Sequence, residues 1–365
     1  MSAFLPGIYL AALLHGAFIV SLLIKNGRGQ ASSILLSCFI GAMMISLWNI
    51  SMPSLDVPDS LKFRILDLKI YATPFFWGPF LYLYVLHMTG QQNHNKKKDL
   101  LHLTVPVAVT LSQVFIEERS VIPSLPAFLL NAFYIHAGCY AAFAYRRVLS
   151  HQKRVQNTFS QIDRIHLNWL KRLLAIFAIT LLIDFLVAQA ITYRLVEYGP
   201  ALGLIVLLES ATIFAIGYFS LQQPQILFPE KPSDKDPKKK YDNSALDDPL
   251  SKQLAEQLET LMKTVQPYKR NDLKLADLAD LMDLSNHHLS QVINEQMGCN
   301  FYEFVNQYRI EYAAGLMRNC DQINITRLAF DAGFNNRVSF TNAFKKQTGL
   351  TPSAYLKNNT FKRAS

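Results

Sequence analysis

Residues 325–355, ITRLAFDAGFNNRVSFTNAFKKQTGLTPSAY, repeat a pattern that occurs fifty residues earlier in the chain. The segment ITRLAFDAGFN at 325–335 matches LADLADLMDLS at 275–285. After one extra residue in the second turn, FTNAFKKQTG at 340–349 matches LSQVINEQMG at 289–298. Apolar residues recur every three or four positions in each segment, which is the spacing of one helix face. The repeat predicts two helix-turn-helix units.

The ends of the predicted helices carry residues that are favoured at such positions. Ser285 and Asn335 precede the second helix of each unit, where a side-chain oxygen can accept a hydrogen bond from a free backbone N–H. Gly298 and Gly349 follow the second helices, and glycine is a favoured C-terminal stop. Both copies therefore have the signals of a complete helix-turn-helix.

The second helix of such a unit lies in the major groove of DNA, where base edges present distinguishable hydrogen-bonding patterns. The apolar stripe leaves polar residues facing outward. These are His287, His288, Ser290, Gln291 and Asn294 in the first unit, and Arg337, Thr341, Asn342, Lys345 and Lys346 in the second. An ordinary solvated polar face is the alternative for either unit alone. The repetition favours DNA recognition.

Residues from about 250 to 357 resemble the DNA-binding domain of the AraC/XylS family, and 325–355 follows that family's C-terminal signature nearly throughout. The resemblance implies two recognition helices, joined by a long central helix at about Phe301–Met317, that enter successive major grooves on one face of the duplex. It implies base-reading roles for His287, Ser290, Gln291, Arg337, Thr341 and Asn342. Lys345 and Lys346 are expected to contact DNA phosphates.

Two positions depart from the family pattern. Ile293 stands where an aromatic residue is usual, and Val338 stands where a polar residue is common. Val338 puts polar base readout at its own position in doubt and leaves contact with a thymine methyl as the alternative.

An apolar stripe precedes the first unit, on a helix predicted from Pro249 to Val265. We expect the stripe to pack on the domain that follows it, and self-association is the alternative. The preceding segment is rich in proline and mixed charges, which predicts a flexible linker at 229–248. Contact of its Lys238–Lys240 run with anionic headgroups is the alternative to plain solvation.

The N-terminal part has the composition of a membrane protein. Half of all residues are hydrophobic and 17% are charged, and the long apolar runs lie in residues 1–228. A helix needs about 20 residues to cross a bilayer of about 30 Å. Seven segments qualify, at approximately 4–24, 31–50, 68–88, 100–116, 124–145, 169–191 and 200–220.

These patterns predict an all-α protein with three parts. A seven-helix transmembrane bundle at 1–228 acts as sensor, a linker follows at 229–248, and an all-α domain with two helix-turn-helix units occupies 249–365. The segments GPFLYLY at 78–84 and LHLTVP at 101–106 also resemble the membrane regions of membrane-bound AraC/XylS members.

The loop charges predict the orientation, because cytoplasmic loops are enriched in Lys and Arg. The loops after the first, third and fifth segments hold twelve basic and two acidic residues, and the remaining loops and helix ends hold five and six. The N-terminus is therefore expected outside and the C-terminus in the cytoplasm of a bacterial inner membrane.

Two carboxylates lie deep in apolar sequence, Asp184 in the sixth segment and Glu209 in the seventh. Buried carboxylates normally face the interior of a bundle, where they have partners. Counted at about 1.5 Å per residue, both lie at similar depth. Three further polar residues are expected at comparable depth: His15, Asn131 and His136. A pocket for a small ligand or proton is one interpretation, and a purely structural hydrogen-bonded cluster is the other.

The sequence offers three classes of function. The first is a one-component transcription regulator whose membrane part senses a signal. A transporter or membrane enzyme fused to a DNA-binding domain is the second, and a passively anchored regulator is the third. No motif of a metalloprotease, a redox centre or a nucleotide-binding loop occurs, so we expect no catalytic residue, metal or cofactor.

The expected partners are promoter DNA, the lipid bilayer, a second copy of the chain and, as a candidate, RNA polymerase. The expectation of a second copy of the chain follows from the charges of the two helix-turn-helix units. Residues 245–320 carry seven basic and eleven acidic residues, whereas 321–365 carry seven and two. The first unit gains little from phosphate attraction. We therefore expect a homodimer to occupy paired sites.

Overall fold

The computed structural model describes residues 5–27, 30–51, 72–90, 96–115, 125–162, 167–222, 247–319 and 323–364. Regular structure in these ranges is helical, apart from one isolated bridge between Phe159 and Lys274. The chain divides into two compact units, Met1–Leu149 with Leu167–Asp234, and Ser150–His166 with Lys235–Ser365. The expected all-α class is confirmed for the described residues.

The first unit contains most of the apolar sequence. Its helices are α1 (Leu5–Asn26), α2 (Ala31–Ser51), α3 (Trp77–Met88), α4 (Lys96–Leu101), α5 (Thr104–Phe115), α6 (Leu125–Thr158), α7 (Asn168–Thr192) and α8 (Tyr198–Gln222). A short 3-10 turn at Thr73–Phe76 leads into α3. The residues of α6 from Ser150 onward belong to the second unit.

Four helices among the described residues are long and apolar enough to cross a membrane. The apolar stretches are Gly7–Asn26, Ala31–Asn49, Asn168–Thr192 and Tyr198–Phe219. Helices α3 and α5 have 12 residues each, which corresponds to about 18 Å and is shorter than the hydrocarbon core. These four helices indicate membrane association, while a full seven-helix bundle stays a prediction.

The core of the first unit is built where α2 packs against α1, α3 and α8. Aromatic side chains fill the centre, with the rings of Phe39 and Phe177 at 5.6 Å and those of Trp77 and Phe133 at 5.6 Å. Gly16 allows the close approach of α1 and α2, because a Cβ there would collide with the side chain of Met44. Burial in this core gives the apolar helices a defined arrangement.

The second unit contains the two predicted helix-turn-helix units. Its helices are α9 (Asp248–Thr264), α10 (Leu275–Leu281), α11 (Asn286–Gln296), α12 (Phe301–Asn319), α13 (Ile325–Asp331), α14 (Arg337–Thr348) and α15 (Pro352–Ala364). Helix α12 extends the predicted central helix by two residues. It contributes Phe304 and Val305 to the core of the first helix-turn-helix and Ile310 and Ala313 to the core of the second.

Helix α9 packs as the sequence predicts. Leu258 and Met262 are fully buried in the core of the first helix-turn-helix, and Leu254 lies against Val292. The ends of the stripe, Leu250 and Val265, are exposed. The stripe is therefore used mainly within the domain. Most of the predicted linker at 229–248 lies outside the described residues.

Candidate nucleic-acid interface

The first recognition helix, α11, begins at the predicted cap. The hydroxyl of Ser285 accepts a hydrogen bond from the backbone N–H of His288 at 3.2 Å. Leu289, Val292 and Ile293 are buried beneath the helix. The apolar side chain at Ile293 therefore fills the core position where the family usually has an aromatic residue.

The cap of the second recognition helix, α14, is Asn336, so the prediction of Asn335 is wrong by one residue. The side-chain oxygen of Asn336 accepts hydrogen bonds from the backbone N–H and the hydroxyl of Ser339, at 2.8 and 3.0 Å. The physical reason is the extra residue in the second turn, which moves the start of the helix one position along the chain. Asn335 is left exposed before the cap.

The turns of the two units share a left-handed residue at matching positions. Asp283 has φ +55° and Gly333 has φ +90°. After the second helices, Gly298 and Gly349 also have positive φ, of 65° and 76°, and the N–H of Gly349 donates to the carbonyl of Lys345 at 2.9 Å. The glycine stops are therefore confirmed.

The predicted base-reading residues of α11 differ in accessibility. His287 is exposed, while Ser290 and Gln291 are half-buried. The Gln291 amide nitrogen donates to a carboxylate oxygen of Glu295 at 3.0 Å, and the Asn294 amide donates to the Ser290 hydroxyl at 3.2 Å. To contact a base, Gln291 and Ser290 would exchange these partners.

In α14, Arg337 and Asn342 are exposed, and Thr341 is half-buried. Within the described residues, the side chains of Arg337 and Asn342 make no hydrogen bond or ion pair. Both are therefore free to bind in the bidentate geometry that suits guanine and adenine. Val338 is 68% exposed on the same helix, which leaves an apolar group available to a thymine methyl.

The two lysines at the end of α14 are not equivalent. Lys345 is exposed and has no side-chain partner among the described residues. The Lys346 ammonium donates to a Glu303 carboxylate oxygen at 2.7 Å, and this hydrogen bond lowers the pKa of Glu303. Lys345 is thus the better candidate for a phosphate contact.

Comparison with known proteins identifies the family to which this helix-turn-helix domain belongs. A family model described as a helix-turn-helix domain matches residues 278–358. The probable transcription factor PqrA of Proteus vulgaris is 30% identical over 93 residues, which are 25% of this chain and 75% of PqrA. The chain belongs to the AraC/XylS family of transcription regulators. The expected family resemblance is confirmed, and the chain contains an AraC-type DNA-binding domain.

Other similarities cover the same region. A helix-turn-helix-type transcriptional regulator of Staphylococcus aureus is 34% identical over 91 residues, which are 25% of this chain and 12% of that protein. The C-terminal domain of the response regulator YesN from Fusobacterium nucleatum is similar to 28% of this chain, at 25% identity, with 98% of that domain covered and a TM-score of 0.26. The chain thus spans a small part of the length of the S. aureus relatives.

Two acidic residues were missed by the sequence reasoning. Glu295 lies on α11, which carries no Lys or Arg, whereas α14 carries three cations and no acid. A carboxylate in the major groove can accept from cytosine and repels phosphate. Glu295 stands four residues after Gln291 on the same helix, and this spacing was the sequence signal that could have revealed their contact. Glu303 gave none, because its contact with Lys346 joins residues 43 positions apart.

The predicted sensor residues form separate groups in the first unit. Asp184 and Glu209 are 3% and 2% exposed and lie close enough to interact electrostatically. Tyr134 lies near both, which the sequence did not predict. One oxygen of each carboxylate is buried and has no hydrogen-bond partner among the described residues. The two buried carboxylates are therefore within electrostatic range of each other.

The other three sensor candidates have different neighbours. The Asn131 side-chain oxygen accepts from the Gln189 amide at 2.9 Å. His15 lies against Gly217 and packs 4.8 Å from the Phe214 ring, and His136 packs against the rings of Phe75 and Tyr140. Among the described residues, no group of three or more His, Cys, Asp or Glu side chains is arranged to hold a metal ion.

Proposed function

We propose that this protein is a membrane-embedded one-component regulator, which senses a signal in its membrane part and binds promoter DNA through α11 and α14. The observation that carries the proposal is that one chain holds four helices able to span a bilayer and an AraC-type DNA-binding domain. The domain boundaries proposed along the sequence are 1–228 for the membrane part, 229–248 for the linker and 249–365 for the DNA-binding domain; within 1–228, Ser150–His166 belong to the second compact unit.

The orientation proposed is N-terminus outside and C-terminus in the cytoplasm of a bacterial inner membrane, with seven crossings. A DNA-binding domain requires the cytoplasmic side. The excess of Lys and Arg in the loops after the first, third and fifth segments supports the same orientation. Arg146 and Lys153 of the last basic stretch lie on α6 and are exposed.

Reporter fusions test this topology. A reporter active only in the cytoplasm is expected to work when fused after residue 225 or after Arg154, and to fail near Asp56, because the charged loops stay inside. Protease digestion of intact spheroplasts should confirm that each fusion is inserted. Cytoplasmic activity of the fusion near Asp56 would overturn the seven-crossing arrangement.

The sensor site proposed is the pair Asp184 and Glu209. An ionised carboxylate is costly inside a membrane, and two adjacent ones repel each other, so protonation or a bound cationic ligand would relieve the strain. Such an event changes the packing of α7 against α8, where the hydroxyls of Thr180 and Thr212 are 3.1 Å apart. His15, Asn131 and His136 remain proposed members of the polar set, although each has other neighbours in the structure.

Neutral variants test the sensor. Asp184→Asn and Glu209→Gln keep the shape of the side chains and remove the charges, so promoter output is expected to become fixed in one state while the protein stays inserted. Glu197→Gln, at an exposed acid before α8, is the matched control. Output is measured with a reporter gene over a range of growth conditions, including external pH. If both variants respond like the parent, the charges are not the sensor.

A homodimer is proposed as the DNA-binding form. Residues 245–320 carry more acidic than basic side chains. The first helix-turn-helix therefore gains little electrostatic affinity for phosphate. Joining two domains raises the local concentration of the second and allows paired sites to be occupied. RNA polymerase is the further partner proposed at such promoters.

A further inference from the structure

The segment that follows α6 packs into the DNA-binding unit, although the residues that it contacts there lie far away in the sequence. Ser160 is 1% exposed. Its backbone N–H donates to the carbonyl of Leu273 at 3.2 Å, and its hydroxyl donates to the same oxygen at 2.6 Å. Beside it, Phe159 forms an antiparallel bridge with Lys274. Residues 159–160 are therefore attached to the backbone immediately before α10.

Ser160 also accepts hydrogen bonds from a buried cation, the guanidinium of Arg309. Arg309, in the middle of α12, is 1% exposed, and burial lowers its pKa to about 10, so it stays charged at neutral pH. Its Nη1 donates to the Ser160 carbonyl and its Nη2 to the Ser160 hydroxyl, both at 3.2 Å. The other two hydrogen bonds go to the carbonyls of Tyr268, at 2.7 Å, and Arg270, at 2.8 Å. Half of the four hydrogen bonds of this guanidinium thus come from one residue of the loop.

Arg309 lies at the junction of the two helix-turn-helix units. Tyr268 and Arg270 precede the first helix-turn-helix. The Arg309 guanidinium lies 5.4 Å from the ring of Phe334, which is in the turn of the second helix-turn-helix. A cavity beside the guanidinium is lined by residues 160–162 of the loop, by Asn306 and Arg309 of α12, and by Phe334 and Ser339 of the second helix-turn-helix. Ser339 is in the first turn of α14. The loop segment and the start of the second recognition helix therefore line the same cavity.

The cavity contains an unsatisfied polar group. Asn306 is 6% exposed, and neither its amide nitrogen nor its amide oxygen has a partner among the described residues. A buried amide without partners is costly. The cavity between α12 and the loop segment therefore holds a polar group whose burial is not compensated by any described residue.

We propose that residues 159–162 are a docked part of the DNA-binding domain that fixes the orientation of the first helix-turn-helix relative to the second, and that the membrane part acts on DNA by shifting this segment through α6. The proposal rests on the proposed function. Two recognition helices bind together only when their separation fits successive major grooves, about 34 Å apart. Fixing the junction in advance lowers the ordering cost of binding both grooves.

Ser160→Ala tests the docking with little risk to the fold, since it removes one hydroxyl and keeps the backbone hydrogen bonds. Thr158→Ala is the matched control, because that hydroxyl is exposed and donates only to the carbonyl of Arg154 in its own helix. The full chain in lipid nanodiscs is used, with a duplex that the parent selects from random DNA and with the same duplex in which one half is scrambled.

Ser160→Ala is expected to weaken binding of the complete duplex about tenfold, on the scale of a hydrogen bond to a charged group, and of the half-scrambled duplex by less than about twofold. Thr158→Ala should match the parent on both. Parental affinity of Ser160→Ala for the complete duplex would overturn the proposal. An equal loss on both duplexes would also overturn it, because the contact would then only stabilise the domain.

Hydrogen exchange gives a second, independent measurement. Binding of the complete duplex is expected to slow exchange of the amides at 159–162 in the parent, because docking and DNA binding favour each other reciprocally. Unchanged exchange on DNA binding would contradict the proposal. If the parent selects no duplex at all, the proposed function fails first, which is a result distinct from both of these.

Discussion

Replacing Gly333 by alanine is expected to destabilise the second helix-turn-helix by about 2–5 kcal/mol. The left-handed backbone at φ +90° costs a Cβ-bearing residue about 1–2 kcal/mol. In addition, the new Cβ would collide with the backbone carbonyl of Tyr268 and lie 3.0 Å from Nε of Arg309. A backbone carbonyl cannot move aside cheaply, so an overpacking cost of about 1–3 kcal/mol is added.

Gly349→Ala separates the two contributions. Gly349 has a similar φ of 76°, but a Cβ there would meet no atom within 4 Å. Its replacement should therefore cost only the backbone term, about 1–2 kcal/mol. Hydrogen exchange of the amides in α13 and α14 of the full chain measures both variants, and tenfold faster exchange corresponds to about 1.4 kcal/mol. Equal effects of the two variants would mean that the contact with Tyr268 is unimportant.

The first helix-turn-helix shows that the left-handed turn itself is compatible with a side chain. Asp283 stands at the position that matches Gly333 and has φ +55°. The repeat at an offset of fifty residues predicted that the two turns correspond. What forbids a side chain at Gly333 is a contact with Tyr268, 65 positions away along the chain, which no local pattern could indicate.

Local signals predicted the DNA-binding domain well. Helical spacing, the cap at Ser285 and the glycine stops at Gly298 and Gly349 each depend on neighbours within a few residues. The one local error, Asn335 in place of Asn336, came from aligning the copies across a turn that differs in length by one residue. The two helix-turn-helix units were therefore predictable from short-range physics and the repeat, and the AraC-type assignment came from the family resemblance.

Contacts between distant segments were not predictable in the same way. Residues 150–162 were assigned with the membrane part, yet they pack in the DNA-binding unit. The contact depends on Arg309, whose burial among carbonyl groups leaves no trace in composition or spacing. Likewise, the ion pair of Lys346 with Glu303 changes the expected role of a lysine.

Membrane crossings were predicted from the length of apolar runs, and this criterion has limits. Helices α1, α2, α7 and α8 contain spans that satisfy it in the structure. In the third and fourth segments, the 12-residue helices α3 and α5 begin only after a 3-10 turn at Thr73–Phe76 and after a turn at His102–Leu103. An apolar run alone does not show where a helix breaks.

Arg337→Ala is expected to cost about 1–3 kcal/mol at the selected duplex, or roughly 5- to 150-fold in affinity, and to relax the preference at one base pair. Arg337 is the first residue of α14, exposed and without an ion pair among the described residues, so its guanidinium can bind a guanine in bidentate geometry. Asn342→Ala should have a similar effect at a neighbouring adenine.

Lys345→Ala is the control for charge alone. A phosphate contact carries no sequence information, so this variant should weaken binding of all duplexes alike and reduce the salt dependence by about one charge. Lys346→Ala should have a smaller effect, because its ammonium is already paired with Glu303. Base preference is measured by selection from random DNA and affinity by titration at several salt concentrations.

Binding of the selected duplex to sealed membrane vesicles that contain the full chain combines both halves of the account. Inside-out vesicles expose the cytoplasmic face, and right-side-out vesicles hide it. The account predicts that inside-out vesicles retain the duplex, that right-side-out vesicles do not, and that Arg337→Ala reduces the preference over scrambled DNA by about 5- to 150-fold. Equal retention by both kinds of vesicle, or an unchanged preference with Arg337→Ala, would contradict it.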